Sequence, residues 1–448
     1  MIANDFPPIG GAGVQRSLYF AKYLPEFGWR PVVLTVKDVA FPTKDPSLLD
    51  LLPPEVKVKR TESFELRRLL WLARGVRRTG QGTSPAIPAA DATHSAGRPS
   101  EPGQVSSRVR ELARAFRRWA LVPDDRMLWA PFAIPRALKL LRTESVDAIY
   151  ATVPCYSSGV IGQIVSRISG RPLVLDLRDP WTHDPYLPDA TPLHSWLNAW
   201  LEATSVSRAA RVVTISSQMT RHFRRAYPSL AEDRFLTLTN GYDAAEFADV
   251  GTITHESGCF QMVYSGSLYA HHRESLGGFC AAWHDLAERD SEFSQVARLV
   301  LVGRCDPEIL QELESWPSVR ATVLGYRPHA EALRHLKGSS ALLLLIKQLD
   351  PDSDLITIPG KLFEYVGSGS PILMIGPEGD AADIVRNTGG RVHRQDDRQA
   401  VADSLSSLFH QPIPATGEPA RIHAAYDRRV LTARLAEELD AVTSRKTP

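Results

Sequence analysis

Ile358-Pro359-Gly360-Lys361-Leu362-Phe363-Glu364-Tyr365-Val366-Gly367-Ser368-Gly369-Ser370-Pro371-Ile372-Leu373 decides the reading of this chain. The segment reads as a loop, a short helix opening near Lys361, a glycine-rich stop and a buried apolar strand. Lys361 and Glu364 fall on the first turns of that helix. A helix N-terminus with a lysine beside it attracts anions, because its first N–H groups and its dipole both point outward. A carboxylate one turn later can accept hydrogen bonds from a ribose diol. Lys361 suits a diphosphate; an ordinary ion pair with an acid such as Glu364 is the alternative.

A second segment answers the first. Phe6-Pro7-Pro8-Ile9-Gly10-Gly11-Ala12-Gly13-Val14-Gln15-Arg16 follows the short strand Ile2-Ala3-Asn4 and opens a helix reaching about Phe27. Its glycines let backbone approach a ligand closely. Further along, apolar runs at 31–36, 147–152, 172–177 and 211–215 read as strands, with a helix at 157–169 between two of them. A second series starts at Gln261, with strands expected at 262–265, 298–302, 322–324, 342–346 and 372–375. Alternation of this kind predicts parallel sheets wrapped by helices. Ligands of such sheets bind beyond the carboxyl ends of the strands. Residues 10–13, 154–158 and 178–181 all follow strands directly.

These two segments resemble the retaining glycosyltransferases of the GT-B fold, family 4. The resemblance extends to Asp176-Leu177-Arg178-Asp179-Pro180-Trp181, Asn240-Gly241-Tyr242-Asp243, Tyr264-Ser265-Gly266-Ser267-Leu268-Tyr269 and Leu301-Val302-Gly303-Arg304. It implies an α/β protein of two Rossmann-like domains facing across a cleft. An acceptor-binding domain is expected over 1–245, with a disordered insertion at 79–107. A sugar-nucleotide domain follows over 246–420, and a helix over 421–448 crosses back to the first domain. The implied reaction moves a sugar from a nucleoside-diphosphate sugar to an acceptor hydroxyl with retention. Two rivals are a sugar-nucleotide epimerase of the same fold and a non-catalytic nucleotide-sugar binder.

The resemblance also implies roles. Glu364 matches the ribose-binding second glutamate of the family; the first would fall at Ile356 and is missing. Arg273, Lys361 and Arg304 are expected at the diphosphate, with Gly266, Gly360, Gly11 and Gly13 on the donor side. Gly10, Arg178 and Ser157 are expected on the acceptor side. Asp179 is placed to orient or deprotonate the acceptor hydroxyl, unless it caps the turn as a pair with Arg178. Asp176 points the other way by strand alternation and reads as structural. His271 and His272 read as polar loop residues. Asp350-Pro351-Asp352-Ser353-Asp354 looks like a metal motif of another glycosyltransferase fold, but its surroundings do not match. No metal and no cofactor are expected, since cations and a helix dipole can neutralise a leaving diphosphate.

Bulk numbers agree with two globular domains. The chain has 448 residues, 43% hydrophobic and 23% charged, with a net charge of +1, which excludes a general polyelectrolyte partner such as nucleic acid. From Arg60 to Ala120, however, 12 Arg face 5 acidic residues, a local excess of +7. Basic helical stretches at 64–78 and 109–121 flank the insertion. They suit an anionic membrane surface, with Leu69, Leu70 and Trp71 toward lipid, or else a solvated face. The four cysteines, Cys155, Cys259, Cys280 and Cys305, form no CxxC pair and suit a reducing compartment. A cytoplasmic protein is expected, with the inner face of the membrane as an alternative seat. The acceptor is a small molecule, a lipid-linked sugar or a glycan, in polysaccharide, glycolipid or natural-product biosynthesis. Because Ile2-Ala3-Asn4 is short for a central strand, a natural start upstream of Met1 is also expected.

Overall fold

The computed structural model describes residues 1–37, 44–64, 122–182, 191–253, 259–347, 358–411 and 422–444. The expected insertion at 79–107, the basic stretches at 65–78 and 109–121, and residues 350–356 lie outside them. The chain divides into two compact units, Met1–Leu238 with Thr432–Pro448, and Thr239–Leu431.

In the first unit the strands are β1 (Val32–Val36), β2 (Lys57–Thr61), β3 (Ile149–Val153), β4 (Leu173–Leu177), β5 (Arg211–Thr214) and β6 (Phe235–Thr237). All pair in parallel. Ile2 bridges Leu34 of β1 on one side and Ala151 of β3 on the other. The short opening segment is therefore central, and the sheet reverses direction beside it. The second unit holds β7 (Phe260–Ser265), β8 (Ala297–Val302), β9 (Ala321–Gly325), β10 (Ala341–Leu345), β11 (Ile372–Ile375) and β12 (Arg391–His393). Their order is β12-β11-β10-β7-β8-β9. This doubly wound order reverses between β7 and β10. Both units are Rossmann-like.

Period-two alternation decides which core each side chain enters. Met262, Tyr264, Leu299, Leu301, Leu343 and Leu345 fill one face of the second sheet. Val263, Val300, Val302, Leu342 and Leu344 fill the other. Strands buried on both faces read as continuous apolar runs, which is why β10 was legible. The three strands that the sequence did not announce, β2, β6 and β12, are all sheet edges. Edge strands are only partly buried and can carry charge; β2 reads Lys57-Val58-Lys59-Arg60-Thr61.

A buried ion pair fixes the glycine-loop helix, Ala12–Tyr23, to the first sheet. Arg16 donates to Asp176 at 2.8 Å and to the Leu238 carbonyl at 2.9 Å. The Tyr150 and Thr152 hydroxyls also donate to Asp176, at 2.6 and 2.8 Å. Asp176 is thus structural, as strand alternation predicts. Removing either charge would leave its partner buried and uncompensated, at a cost of about 3–5 kcal/mol. Among the described residues no helix is long and apolar enough to cross a membrane.

Candidate functional site

Each sheet reverses next to a glycine-rich turn at the carboxyl ends of its strands. In the first unit that rim is built from Asn4 and Asp5 after Ile2, the loop with Gly10 and Gly13, and Pro154 and Cys155 after β3. Arg178 and Asp179 after β4 complete it. Gly11 has φ 101°, a left-handed conformation that suits glycine, and caps the helix Ala12–Tyr23. Arg178 is only 7% exposed. Its Nε donates to the Val153 carbonyl at 3.0 Å and its Nη1 to the Gly13 carbonyl. Ser157 is fully buried, and its N–H donates to Asp124 at 3.1 Å; its hydroxyl donates to the same carboxylate. Arg178 and Ser157 therefore hold the rim together instead of facing an acceptor.

Two acids at the surface of this rim, Asp5 and Asp179, are half-buried. Sequence reasoning passed over Asp5, although it directly follows the central strand. Burial pushes its carboxyl above the usual range, while Arg126 and Arg178 pull it back. The Cys155 sulfur lies 3.7 Å from its Oδ1. Burial also raises that thiol well above its ordinary value.

In the second unit the helix Gly360–Ser368 starts beside the ends of β7 and β8. Its N-cap is Pro359, which offers no capping side chain, so the first turn can receive an anion. The tertiary fold pins this turn by two side chains. Tyr365 accepts the Ser265 N–H at 2.7 Å. Lys361 donates to the Tyr264 hydroxyl at 2.5 Å, and its ammonium lies 4.2 Å from that ring's centre. The ammonium also overhangs Gly266: a Cβ there would meet it at 2.9 Å. Gly303 admits no side chain at all, since its Cβ would stand 2.1 Å from the Gly266 carbonyl oxygen. These two glycines, with φ 114° and 143°, bring the strand ends and Lys361 together.

Beside them lies an open crevice of about 530 Å³, lined by His271, Arg273, Glu274, Glu312 and Lys347, among others. Arg273 is 56% exposed and pairs with Glu312 at 2.9 Å. Lys347 immediately follows Ile346 at the reversal, and sequence reasoning missed it. Its position after the most apolar run in the chain was the available signal. The Tyr269 N–H donates to His272 Nδ1 at 3.2 Å. Burial, then His271 and Lys361, lowers the His272 pKa to about 3. Burial, then Lys347, lowers His271 as well. Burial and the lysines nearby disfavour a charge on both rings, with Asp306 acting the other way at His271. Arg304 is exposed, and its carbonyl accepts the Leu268 N–H at 2.8 Å. Glu364 is half-buried one turn after Lys361. It also helps to raise the pKa of His329, whose main cause is a hydrogen bond to Glu246. Among the described residues no group of three or more His, Cys, Asp or Glu is arranged to hold a metal ion.

Two parallel Rossmann-like units, one with a cationic helix start at its switch point, define a protein of the GT-B architecture. Solved structures share this fold. HepE of Anabaena in complex with UDP and glucose aligns with a TM-score of 0.56 at 16% identity, covering 98% of each chain. A glycosyltransferase of Rickettsia africae gives 0.61 at 11% identity, over 100% of this chain and 98% of that one. Sucrose-phosphate synthase of Thermosynechococcus elongatus gives 0.58 at 11%, over 98% and 96%. No curated protein sequence matches the chain. The glycosyl transferase 4-like domain matches residues 10–241, and the chain belongs to that family. It is a glycosyltransferase.

Proposed function

We propose that the protein transfers a sugar from a nucleoside-diphosphate sugar to an acceptor hydroxyl, with retention at the anomeric carbon and without a metal ion or cofactor. The observation that carries this reading is the position of Lys361, on an uncapped helix start and directly above Gly266 at the switch point of the second sheet. In the reaction the bond from the anomeric carbon to the diphosphate oxygen breaks, and that oxygen keeps the electron pair. A new bond forms from the same carbon to the acceptor oxygen, whose proton leaves. Lys361, Arg273 and Arg304, joined by Lys347, oppose the charge that develops on the leaving group. Glu364 takes the ribose hydroxyls. In the first unit Asp179 orients the acceptor hydroxyl or receives its proton. The UDP bound in HepE makes a uridine donor the first to test. The protein works on the cytoplasmic side, on a soluble, glycan or lipid-linked acceptor.

The test incubates the protein with a panel of labelled sugar nucleotides and acceptors. Transfer with an anomer matching that of the donor is expected, unaffected by EDTA. An isomerised donor without transfer would mark an epimerase. Binding without turnover would mark a non-catalytic binder.

A further inference from the structure

The amino end of the first sheet holds an open cavity of about 500 Å³. Pro172 directly precedes β4, Ala210 directly precedes β5 and Arg234 directly precedes β6, and all three line it. These strands are parallel, so the cavity lies at the opposite end of the sheet from the rim with Asp5 and Asp179. The length of β4, five residues at about 3.3 Å each, separates the two ends by roughly 17 Å. Substrates of a doubly wound sheet bind at the carboxyl ends, so this cavity is no part of the proposed transfer site.

Three arginines from separate segments of the chain line this cavity: Arg208, Arg211 and Arg234. Arg208 ends the helix Pro192–Arg208. Among the described residues its guanidinium makes a single hydrogen bond, from Nη2 to the Ser166 carbonyl at 2.9 Å, and its Nε is buried with no partner. The Arg234 guanidinium donates to the Ser207 carbonyl at a long 3.5 Å. Arg211 is 6% exposed and is held by Glu438 at 2.6 Å and by the Ala210 carbonyl at 3.1 Å. One acid, Asp233, shares the lining, and Arg171 stands beside it, between Gly170 and Pro172. Cations outnumber acids here even with Glu438 counted. Pro172, Ala210 and Val442 supply an apolar wall.

We propose that this cavity binds a small organic phosphate monoester, at a site separate from the transfer chemistry. A phosphate monoester carries about −1.5 to −2 charges at pH 7 and three acceptor oxygens. That suits guanidiniums supplied by three chain segments, whereas a carboxylate offers two oxygens in one plane. Arginine is the side chain for such recognition, because its planar N–H fork is always charged. Arg208 and Arg234 are held by main-chain carbonyls, so an anion reaches them without breaking an ion pair. The volume of about 500 Å³ falls within the range of small-molecule sites, roughly 300–1,000 Å³. It far exceeds a bare phosphate, and the apolar wall receives the carbon skeleton of the ester.

Titration calorimetry of the full chain with glycerol 3-phosphate tests this site, with sodium acetate at equal ionic strength as the comparison. Binding of the monoester is expected, and none of acetate. Arg208→Met with Arg234→Met should lower the affinity at least tenfold, the loss of one or more hydrogen bonds to a charged group. Ala231→Asp is a second variant that favours folding. Ala231 is the N-cap of the short turn Glu232–Arg234 and supplies no side-chain cap, a place where aspartate is preferred. Its carboxylate on the cavity wall should repel the monoester and weaken binding by a similar factor. Lys361→Met should bind glycerol 3-phosphate as the wild type does, because Lys361 belongs to the other unit. No binding, equal binding of acetate, or wild-type affinity in Ala231→Asp overturns the proposal. So does loss of monoester binding in Lys361→Met with retention in the arginine variant, which would put the ligand at the donor site instead.

Discussion

Lys361→Met isolates the charge at the centre of the proposed donor site. Methionine keeps the unbranched stem and its contact with the Tyr264 ring but removes the ammonium. The stability cost should be modest, because the Tyr264 hydroxyl has a second partner, the Ser267 carbonyl at 3.1 Å. One lost hydrogen bond costs about 0.5–1.5 kcal/mol. Binding should suffer more. A hydrogen bond to a charged group contributes about 1.5–3 kcal/mol, so affinity for UDP should drop about 10- to 150-fold. Coulomb attraction at 4 Å with an effective dielectric of 20 would set a ceiling near ~4 kcal/mol. Titration calorimetry with UDP at two ionic strengths reads both the loss and a shallower salt dependence. A folded variant that binds UDP within twofold of the wild type would refute the placement of the diphosphate over Gly266.

Glu364→Ala should weaken UDP by about 1.5–3 kcal/mol while leaving inorganic diphosphate binding unchanged; equal losses for both ligands would remove the ribose role. Arg273→Ala should impair diphosphate binding, whereas Asp179→Asn should keep donor affinity and depress kcat, and near-wild-type turnover of Asp179→Asn would shift attention to Asp5. The pH dependence has a definite sign at His272, whose folded pKa of about 3 lies below the ordinary 6.5. The unfolded chain binds the extra proton first, so the stability present above pH 6.5 is lost as pH falls toward 3, by up to about 1.4 kcal/mol per pH unit. His271, His393 and His423 shift in the same direction. Urea denaturation between pH 7.5 and 5 should show this slope, and His272→Asn, whose Oδ1 can replace Nδ1 as acceptor, should flatten it. An unchanged slope in that variant would discard the assignment.

Local chemistry made part of this protein readable from its residues alone. Strands buried on both faces must be apolar throughout, so β7, β8, β10 and β11 were visible. A helix that starts at Gly360 with a lysine and a glutamate on its first turns was visible for the same local reason. So was Asp176, because side chains alternate along a strand. What the residues could not announce depends on neighbours distant in sequence. Edge strands need no apolar run, so β2, β6 and β12 became strands only by pairing. Lys361 had two readings, and only packing against Tyr264 and Gly266, about a hundred residues away, chose the strand end for it. Arg178 and Ser157 looked available in sequence, yet the fold buries both against carbonyls and Asp124. Lys347 and Asp5 look ordinary in sequence. They acquire a position only where each sheet reverses, because strand order decides which chain segments meet at the rim. Leu193, Trp196 and Trp200 have the spacing of a core face, and only the tertiary structure turns them outward.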